Sequence, residues 1–560
     1  FSATINGRVY TMIGNNEKLY SVIGSRLTNI TPLDANTIAI ANSLATHYAT
    51  LANDPISVVL NSNIVTITDS EAALFKVGDI VTISGATTTG GILNTALNAS
   101  HVIRSIVGTT YTVRVGTNAT STTSGGGASV VRSSGLITVT DAAHGQEDGD
   151  RVKITMAADT GGILAAAINL EFIIRNVTTN TFDVMTAGTA TSSVSGGGGG
   201  ATLYQQEIPI GLVNASFGQG YGMGLYGVGL YGVSKLSTAG QLYPRIWFFD
   251  RFGNTIVMTP GNQTGLYQWN GVTTTAPVLV SGAPDEINYA FVSDNILVTL
   301  GYQQGNEIFA SDQGAITQWT ASSTNQVFQD DVEGAARFLS HASVNGTNLL
   351  FTENQTYTFK YVGLPLIWDI ELLEPNIGII APMARVVVEG VAYWMDDNNF
   401  YKWEGGNVQV IPSNSNYQTT IYNYVFGNLN TNQKSKIFCW YNKQYNEIWW
   451  HYLCELSNEP DRVARFNVKD QTWCPDTLDR TAAEYPIISL VNPRLINVGT
   501  LYKHEIGTDD DLLPMEFTLK TNLRTTGKDT TTVVGIVPDS IQNGDLELTI
   551  HSQLWPQATA

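Results

Sequence analysis

A unit of about 70 residues occurs twice in tandem in the first half of the chain and limits the folds open to it. Residues 65–69 read Val-Thr-Ile-Thr-Asp, and residues 137–141 read Ile-Thr-Val-Thr-Asp. At an offset of 71, residues 78–83 and 149–154 share a Gly-Asp turn followed by alternating apolar and polar positions. Alternation with a period of two is typical of half-buried strands, so each copy is predicted to be a small antiparallel β module.

The two modules are predicted to span residues 60–130 and 131–205 and to be barrel-like or sandwich-like. Both end in glycine runs, at 125–127 and 196–200, within Ser/Thr/Ala-rich sequence. This composition is typical of flexible linkers. The modules are therefore expected to be insertions whose removal leaves the main core folded.

Outside the modules, strand pairs rich in aromatic residues flank Asn, Asp and Gly turns, for example in 247–258 and 391–403. Aromatic landmarks spaced by 50, 40, 44 and 46 residues are Trp269, Trp319, Phe359, Trp403 and Trp449. This spacing is the length of one four-stranded blade of a β-propeller. The sequence therefore predicts an all-β protein with a β-propeller core.

The predicted domain order follows from these patterns. Residues 1–59 are expected to supply the opening propeller strands, and residues 206–510 the remaining blades. Residues 511–560 are expected to add a C-terminal β segment that is truncated. The number of blades stays open.

The charge composition excludes strong polyanion binding. The 560 residues contain 29 Lys and Arg against 48 Asp and Glu, a formal net charge of −19, and only 14% of residues are charged. Such a chain has no basic stripe to neutralise phosphates.

No apolar run reaches the roughly 18 residues of a membrane-spanning helix. The three cysteines fit free thiols better than a disulfide framework.

A glycine- and tyrosine-rich segment, residues 218–232, contains two formal Gly-x-Gly-x-x-Gly matches. A dinucleotide site needs a helix directly after the glycines, but Gly240 and Pro244 would break one, so no cofactor is expected. Glycines that admit a neighbouring backbone instead favour an arm lying on another subunit. The predicted subunit-interface residues are Tyr221, Tyr226 and Tyr231.

Catalytic signatures are missing from the sequence. It has no His-Glu-x-x-His or Gly-x-Ser-x-Gly motif, so no metal site and no catalytic residue is predicted. Residues 311–319 resemble the Asp-box turn of sialidase-type propellers, which is a structural hairpin. A sialidase also needs arginines clustered beside a tyrosine, and the arginines here are evenly scattered: Arg245, Arg251, Arg337, Arg385, Arg462 and Arg465. The aromatic stripes favour blade core over a glycan-binding platform.

Seven motifs in consistent order resemble a known family. They are Ile-Trp-Phe-Phe-Asp-Arg-Phe-Gly at 246–253, Gly-Leu-Tyr-Gln-Trp at 265–269, Ser-Asp at 311–312 with Trp319, Tyr-Val-Gly-Leu-Pro at 361–365, Gly-Val-Ala-Tyr-Trp-Met at 390–395, Tyr-Asn-Glu-Ile-Trp-Trp at 445–450, and Leu-Tyr-Lys-His-Glu-Ile-Gly at 501–507. Together they resemble the propeller-bearing tail proteins of short-tailed bacteriophages, known as packaged-DNA stabilisation, nozzle or hub proteins. The resemblance covers roughly residues 206–520 and the opening strand pair. The inserted modules depart from it and resemble small β-repeats of phage tail and fibre proteins.

The resemblance implies a non-enzymatic virion protein, assembled in the host bacterial cytoplasm. Members of that family form a ring, commonly a homohexamer, below the portal and adaptor proteins. The ring is a conduit that retains packaged DNA and passes it on without sequence-specific binding. The inserted modules are expected to dock a tail fibre or another tail protein. The alternative is a virion-surface propeller that binds or cleaves host glycans.

Overall fold

The computed structural model describes residues 1–33, 37–205, 208, 211–215, 243–261, 265–302, 305–413, 420–484, 492–497, 499–506, 509–510 and 513–514. The chain divides into two units, Phe1–Glu505 and Ile506–Ala560. Within the first unit the fold is all-β, as predicted, with a β-propeller core and two inserted β modules.

The first propeller sheet comes from the start of the chain. Its strands are β1 (Ser2–Ile5), β2 (Arg8–Gly14), β3 (Leu19–Ile23) and β4 (Arg26–Asn29). They pair in sequence order as an antiparallel meander, so this region forms a complete four-stranded blade and not only an opening strand pair.

The inserted region follows blade 1. Its strands are β5 (Ile38–Ala39), β6 (Leu44–Thr50), β7 (Ile56–Val58), β8 (Ile64–Thr68), β9 (Ile80–Ser84), β10 (Ser100–Val107), β11 (Thr110–Arg114), β12 (Thr123–Gly125), β13 (Val131–Thr140), β14 (Arg151–Ala157), β15 (Glu171–Ile173), β16 (Thr181–Met185) and β17 (Gly199–Tyr204). Two short helices, α1 (Asn94–Leu97) and α2 (Ala165–Ile168), occupy equivalent places in the two copies, 71 residues apart. A 3-10 segment spans Ala72–Leu74.

The two modules are nested, which the sequence analysis did not predict. Strand β6 pairs with β13, and β5 pairs with β17, so residues 38–50 belong to the second module although they precede the first. Strand β7 pairs with β8 and β12 of the first module. Residues 38–58, assigned above to the propeller, therefore lie in the inserts. We call 56–130 module 1, and 38–50 with 131–205 module 2.

The glycine runs are ordered parts of the modules and not linkers. The N–H of Gly197 donates to the carbonyl of Leu44 at 2.7 Å, and the N–H of Leu44 returns a bond to Gly197 at 3.0 Å. Gly198 has φ +99°, and a Cβ there would lie 2.7 Å from the Leu44 side chain. Glycine is needed here because a neighbouring strand approaches closely.

Six further sheets complete the propeller. Blade 2 has β18 (Phe248–Phe252), β19 (Thr255–Thr259), β20 (Tyr267–Trp269) and β21 (Val278–Leu279); blade 3 has β22 (Tyr289–Ser293), β23 (Ile296–Tyr302), β24 (Glu307–Ala310) and β25 (Phe328–Asp331); blade 4 has β26 (Phe338–Val344), β27 (Thr347–Thr352), β28 (Thr356–Gly363) and β29 (Ile367–Glu374). Blade 5 has β30 (Arg385–Val388), β31 (Val391–Met395), β32 (Phe400–Trp403) and β33 (Gln409–Val410); blade 6 has β34 (Phe438–Asn442), β35 (Glu447–Tyr452), β36 (Arg462–Asn467) and β37 (Thr472–Thr477); blade 7 has β38 (Ala482–Glu484), β39 (Arg494–Asn497) and β40 (Thr500–Lys503).

From blade 2 to blade 7 the sheets follow one another around an axis, with the first strand of each against the first strand of the next. Blade 1 packs against blade 2, where Phe1 stacks on Phe249 at a ring distance of 5.8 Å. The ring closes between blades 7 and 1, where Ser2 Oγ donates to Glu484 Oε2 at 2.7 Å. Each blade is built from local hairpins with tight turns. At the β26–β27 turn, Asn345 and Gly346 have φ +50° and +81°, which Asn and Gly adopt at low cost.

The aromatic landmarks fall one in each of blades 2 to 6, but at different positions. Trp269, Phe359 and Trp403 lie on third strands, Trp449 on a second strand, and Trp319 in a loop. The main blade core, around Trp394, Trp450 and Phe400, lies between blades 4, 5 and 6.

The remaining described elements are short. Helix α3 (Ile421–Phe426) and a 3-10 segment (Thr431–Lys436) lie between blades 5 and 6. In the second unit, β41 (Asp509–Asp510) pairs with β42 (Leu513–Pro514).

Candidate functional site

The segment that carries the predicted interface tyrosines lies between described residues. Tyr221, Tyr226 and Tyr231 themselves fall outside the described part of the chain. Before the segment, the Ala215 N–H donates to Gln433 Oε1 at 2.8 Å, and its carbonyl accepts from Gln433 Nε2 at 3.0 Å. After it, Tyr243 Oη donates to Glu353 Oε1 at 2.9 Å. Both flanks are thus held on the propeller face where the first strands of the blades begin.

A cleft lies on that same face, between loops of blades 2 to 6. Its apolar lining includes Ile246, Phe248, Leu339, Ile380 and Pro382. Two cations at its edge are engaged within the chain: the guanidinium of Arg337 lies 4.2 Å from the ring centre of Tyr243, and Lys434 Nζ lies 2.8 Å from Asp397 Oδ1. The cleft therefore offers mainly apolar packing.

Four polar side chains meet at the propeller axis below this face. They come from the first strands of blades 2 to 5: Asp250, Tyr289, His341 and Arg385. Arg385 Nη2 donates to Tyr289 Oη at 2.6 Å, and Tyr289 Oη lies 3.1 Å from His341 Nδ1. Because a guanidinium cannot accept, the Tyr289 hydroxyl is free to donate its own proton to His341. The chain of bonds joins blades 5, 3 and 4.

The electrostatics of this axial cluster keep His341 neutral. Burial, reinforced by the charge of Arg385, holds the pKa of His341 well below its usual range. Burial raises the pKa of Asp250, although this carboxylate accepts hydrogen bonds from the Val292 and Arg251 amides. Neutral His341 accepts at Nδ1 and therefore carries its proton on Nε2.

The cluster also bears on the glycan-cleaving alternative, because it puts an arginine beside a tyrosine. Arg337 donates weakly to Asn288, at 3.4 Å, while Arg385 contacts the adjacent Tyr289. A tyrosine nucleophile needs a base to take its proton. Burial raises the pKa of Tyr289, and His341, which accepts its hydrogen bond, is a weak base because burial holds the pKa of His341 well below its usual range. The arrangement suits a structural tie between blades better than nucleophilic catalysis.

Sequence reasoning missed this cluster. Its four members are 39, 52 and 44 residues apart, close to one blade length each. A polar side chain recurring at the blade period, on the first strand before each hairpin turn, would have been the signal.

A second polar site attaches the insert to the propeller. The side chain of Arg151, only 1% exposed, donates from Nη2 to the Thr273 carbonyl at 2.7 Å and from Nη1 to the Thr274 carbonyl at 2.9 Å. Beside it, Lys18 Nζ of blade 1 lies 3.0 Å from Asp150 Oδ1. Module 2 is thus docked on blades 1 and 2 by buried charge-assisted hydrogen bonds.

A third polar site joins the two modules. Arg132 is fully buried, and its Nε lies 2.9 Å from Asp69 Oδ2 while Nη2 pairs with Glu71. The hydrogen bond with His47, together with Arg132, lowers the pKa of Glu71 to about 2. Farther along the interface, Arg175 Nη2 pairs with Asp79 Oδ2 at 2.8 Å.

Tryptophan exposure distinguishes blade core from a sugar-binding platform. Among the described tryptophans, all are buried except Trp319 and Trp473, which are half-buried. The Nε1 of Trp319 donates to the Ile316 carbonyl at 2.8 Å, within the Asp-box-like loop. That loop is a structural hairpin, with the Ser311 hydroxyl buried against the Leu297 amide.

No group of three or more His, Cys, Asp or Glu side chains within the described ranges could hold a metal ion. Among the same residues, no helix is long and apolar enough to span a membrane. The three cysteines are free thiols, and burial raises the pKa of Cys439 above its usual range.

Comparison with known proteins gives no family. No protein-family model matches the chain, and no curated protein matches it. Similar solved structures include the extracellular domain of a one-component system of B. thetaiotaomicron, at TM-score 0.32 and 12% identity over 48% of this chain. The chain covers 32% of that structure's length.

Two further solved structures show the same level of similarity. Hsv2 of Kluyvelomyces marxianus has TM-score 0.29 and 10% identity, over 49% of this chain and 77% of Hsv2. The computationally designed Ika8 protein has TM-score 0.28 and 11% identity, over 82% of this chain and 97% of Ika8. Similarities of this size carry no argument about function.

Proposed function

We propose that this chain is a structural subunit of a bacteriophage tail, a nozzle or hub ring through which packaged DNA is retained and then passed to the host. The motifs quoted above suggest the family, and the subunit number they imply is six. The observation that favours a structural role over glycan recognition is tryptophan burial, since blade packing uses the aromatic stripes. Among the described tryptophans, none presents a fully exposed indole on which a sugar could stack.

The charge distribution supports passage of DNA without binding. A formal charge of −19 per subunit leaves little counterion-release affinity for a polyanion. The docking of module 2 through Arg151 supports a subunit of fixed shape, which a closed ring requires. The inserted modules are surfaces for other tail proteins in this proposal.

Assembly of the purified protein tests the ring. Sedimentation velocity at moderate salt should show a closed oligomer, and a triple variant Y221A/Y226A/Y231A should shift it to folded monomer. Circular dichroism checks that the variant is folded. Rings that survive the triple substitution would remove these tyrosines from the interface. A wild-type protein that stays monomeric with its portal-side partner present would contradict the ring itself.

Glycosidase assays test the alternative. We expect no release of reducing sugar from host polysaccharide by the wild-type protein. The matched control is Tyr289→Phe, which removes the axial hydroxyl and keeps the aromatic ring of the side chain. Turnover by wild type that is lost in Tyr289→Phe would overturn the structural proposal and assign the axial cluster to catalysis.

A further inference from the structure

Because the two modules are copies of one repeat, the exposure of each position in module 1 can be compared with that of the equivalent position in module 2. Arg151, buried against the propeller, corresponds to Ile80, which is 56% exposed. Ile80 lies opposite Val102, 44% exposed, in the β9–β10 register. The surface by which module 2 docks on the propeller therefore has a solvent-exposed equivalent in module 1.

The three carboxylates of module 1 all form ion pairs with arginines from outside it. Residues 56–130 contain three acidic side chains and three Lys or Arg, a formal charge of zero, so the rest of the chain carries the whole −19. Arg132 pairs with Asp69 and Glu71, and Arg175 pairs with Asp79. Both arginines belong to module 2. The charge left free on module 1 is consequently positive.

That positive charge lies on the outer face of the module 1 sheet. Arg104 and Arg114 are exposed, and their side chains form no ion pair or hydrogen bond with any described residue. Arg104 sits at a bulge in β10, opposite β11, the strand that Arg114 ends. The strands around them carry several threonines and serines, with cross-strand hydroxyl pairs such as Ser105–Thr112 at 2.7 Å. We call this surface the basic face.

The propeller carries an acidic counterpart on the outer strands of blades 3 and 4 and in the turn after β25. Its exposed carboxylates are Asp330, Asp331, Glu333, Asp369 and Glu371. None of them forms an ion pair with a described residue. The two strands lie on adjacent blades, which Phe328 and Phe359 join at a ring distance of 6.4 Å. We call this surface the acidic rim.

We propose that the basic face of module 1 docks on the acidic rim of a neighbouring copy of this chain. Charge complementarity selects this occupant, because the free cations of module 1 contrast with the acidity of the rest of the chain. The basic face and the acidic rim are different surfaces, so the contact is heterologous and closes into a ring when the rotation allows. The inference rests on the proposed ring and names the surfaces that form it.

Charge reversal tests the contact at 0.15 M salt, where the Debye length is about 8 Å. In sedimentation velocity, R104E/R114E and D330K/E371K should each lower the assembled fraction about tenfold. The quadruple variant R104E/R114E/D330K/E371K should restore assembly. It has the wild-type net charge, so recovery reports complementarity between the two surfaces.

A matched control separates this effect from net charge. Arg8 and Arg26 are exposed on blade 1, and R8E/R26E makes the same charge change as R104E/R114E. It should assemble like wild type. Assembly of R104E/R114E at the wild-type level, or a folded quadruple variant that stays dissociated, would overturn the contact while leaving the ring in place.

Two other outcomes would separate the proposed contact from the proposed ring and from binding of an anionic polymer. A monomeric wild-type protein would contradict the proposed function first, because there would be no ring for the contact to build. An R104E/R114E variant that assembles normally but loses retention on immobilised dextran sulfate would show that the basic face binds an anionic polymer, and the second-copy proposal would be wrong.

Discussion

Arg151 Nη2 and the carbonyl oxygen of Thr273 lie 2.7 Å apart, although 122 residues separate them in the chain. Replacing Arg151 by Met should uncouple the insert from the propeller, because the carbonyls of Asn29, Thr273 and Thr274 lose their guanidinium donor and Glu171 loses its ion-pair partner. Breaking such a buried contact costs about 3–5 kcal/mol. Calorimetry should then resolve separate insert and propeller transitions. Ile80→Met at the equivalent exposed position is the control, and a single unchanged transition in Arg151→Met would contradict the docking role.

The stability of the contact between the two modules should depend on pH. The pKa of Glu71 is depressed to about 2, so its contribution to stability is present above the ordinary pKa of about 4.5 and is lost as pH falls toward 2. Arg132→Met should lower the free energy of unfolding at pH 7 by about 3 kcal/mol or more. The difference between wild type and variant should shrink from pH 4.5 to 2 in denaturant titrations. A pH-independent difference would remove Glu71 from the interaction.

Asp396 should behave in the opposite sense. Burial in the β31–β32 turn raises its pKa to about 6. A raised carboxyl pKa means that stability is fully present below the ordinary pKa of about 3.9 and is lost as pH rises through 6. Asp396→Asn should therefore raise the melting temperature at pH 7 and remove this pH dependence. Asp470→Asn, at an exposed carboxylate that forms no ion pair with a described residue, is the control, and equal effects of the two substitutions would contradict the assignment.

Two deletions should separate the predicted module boundary from the observed one. Removing residues 60–200 leaves β6 and β7 without their partner strands, exposing unpaired edges that favour aggregation. Removing residues 37–205 and bridging the gap with a short Gly/Ser linker takes out the complete nested insert. The first deletion should be insoluble and the second should keep a cooperative melt. Equal solubility of the two proteins would mean that residues 38–58 do not need the modules.

The all-β class follows from local patterns in the sequence. Strands such as Ile64–Thr68 alternate apolar and polar residues, and the turn at Asn345 and Gly346 needs only its own two residues. The repeat and the aromatic spacing likewise depend on residues close in sequence. Hairpins join neighbouring strands, so these features could be predicted from the sequence.

The nesting, the blade number and the polar sites required the tertiary structure. The β6 strand pairs with β13 some 90 residues away, and Arg385 reaches Tyr289 across 96 residues. No local pattern specifies such a partner, because the sequence does not distinguish an arginine that is buried in the fold from one that is exposed. Arg151 and Arg104 illustrate this: one is 1% exposed in a docking contact, and the other is exposed on the basic face. Only packing decides which charges are desolvated, since burial depends on the elements that close over them.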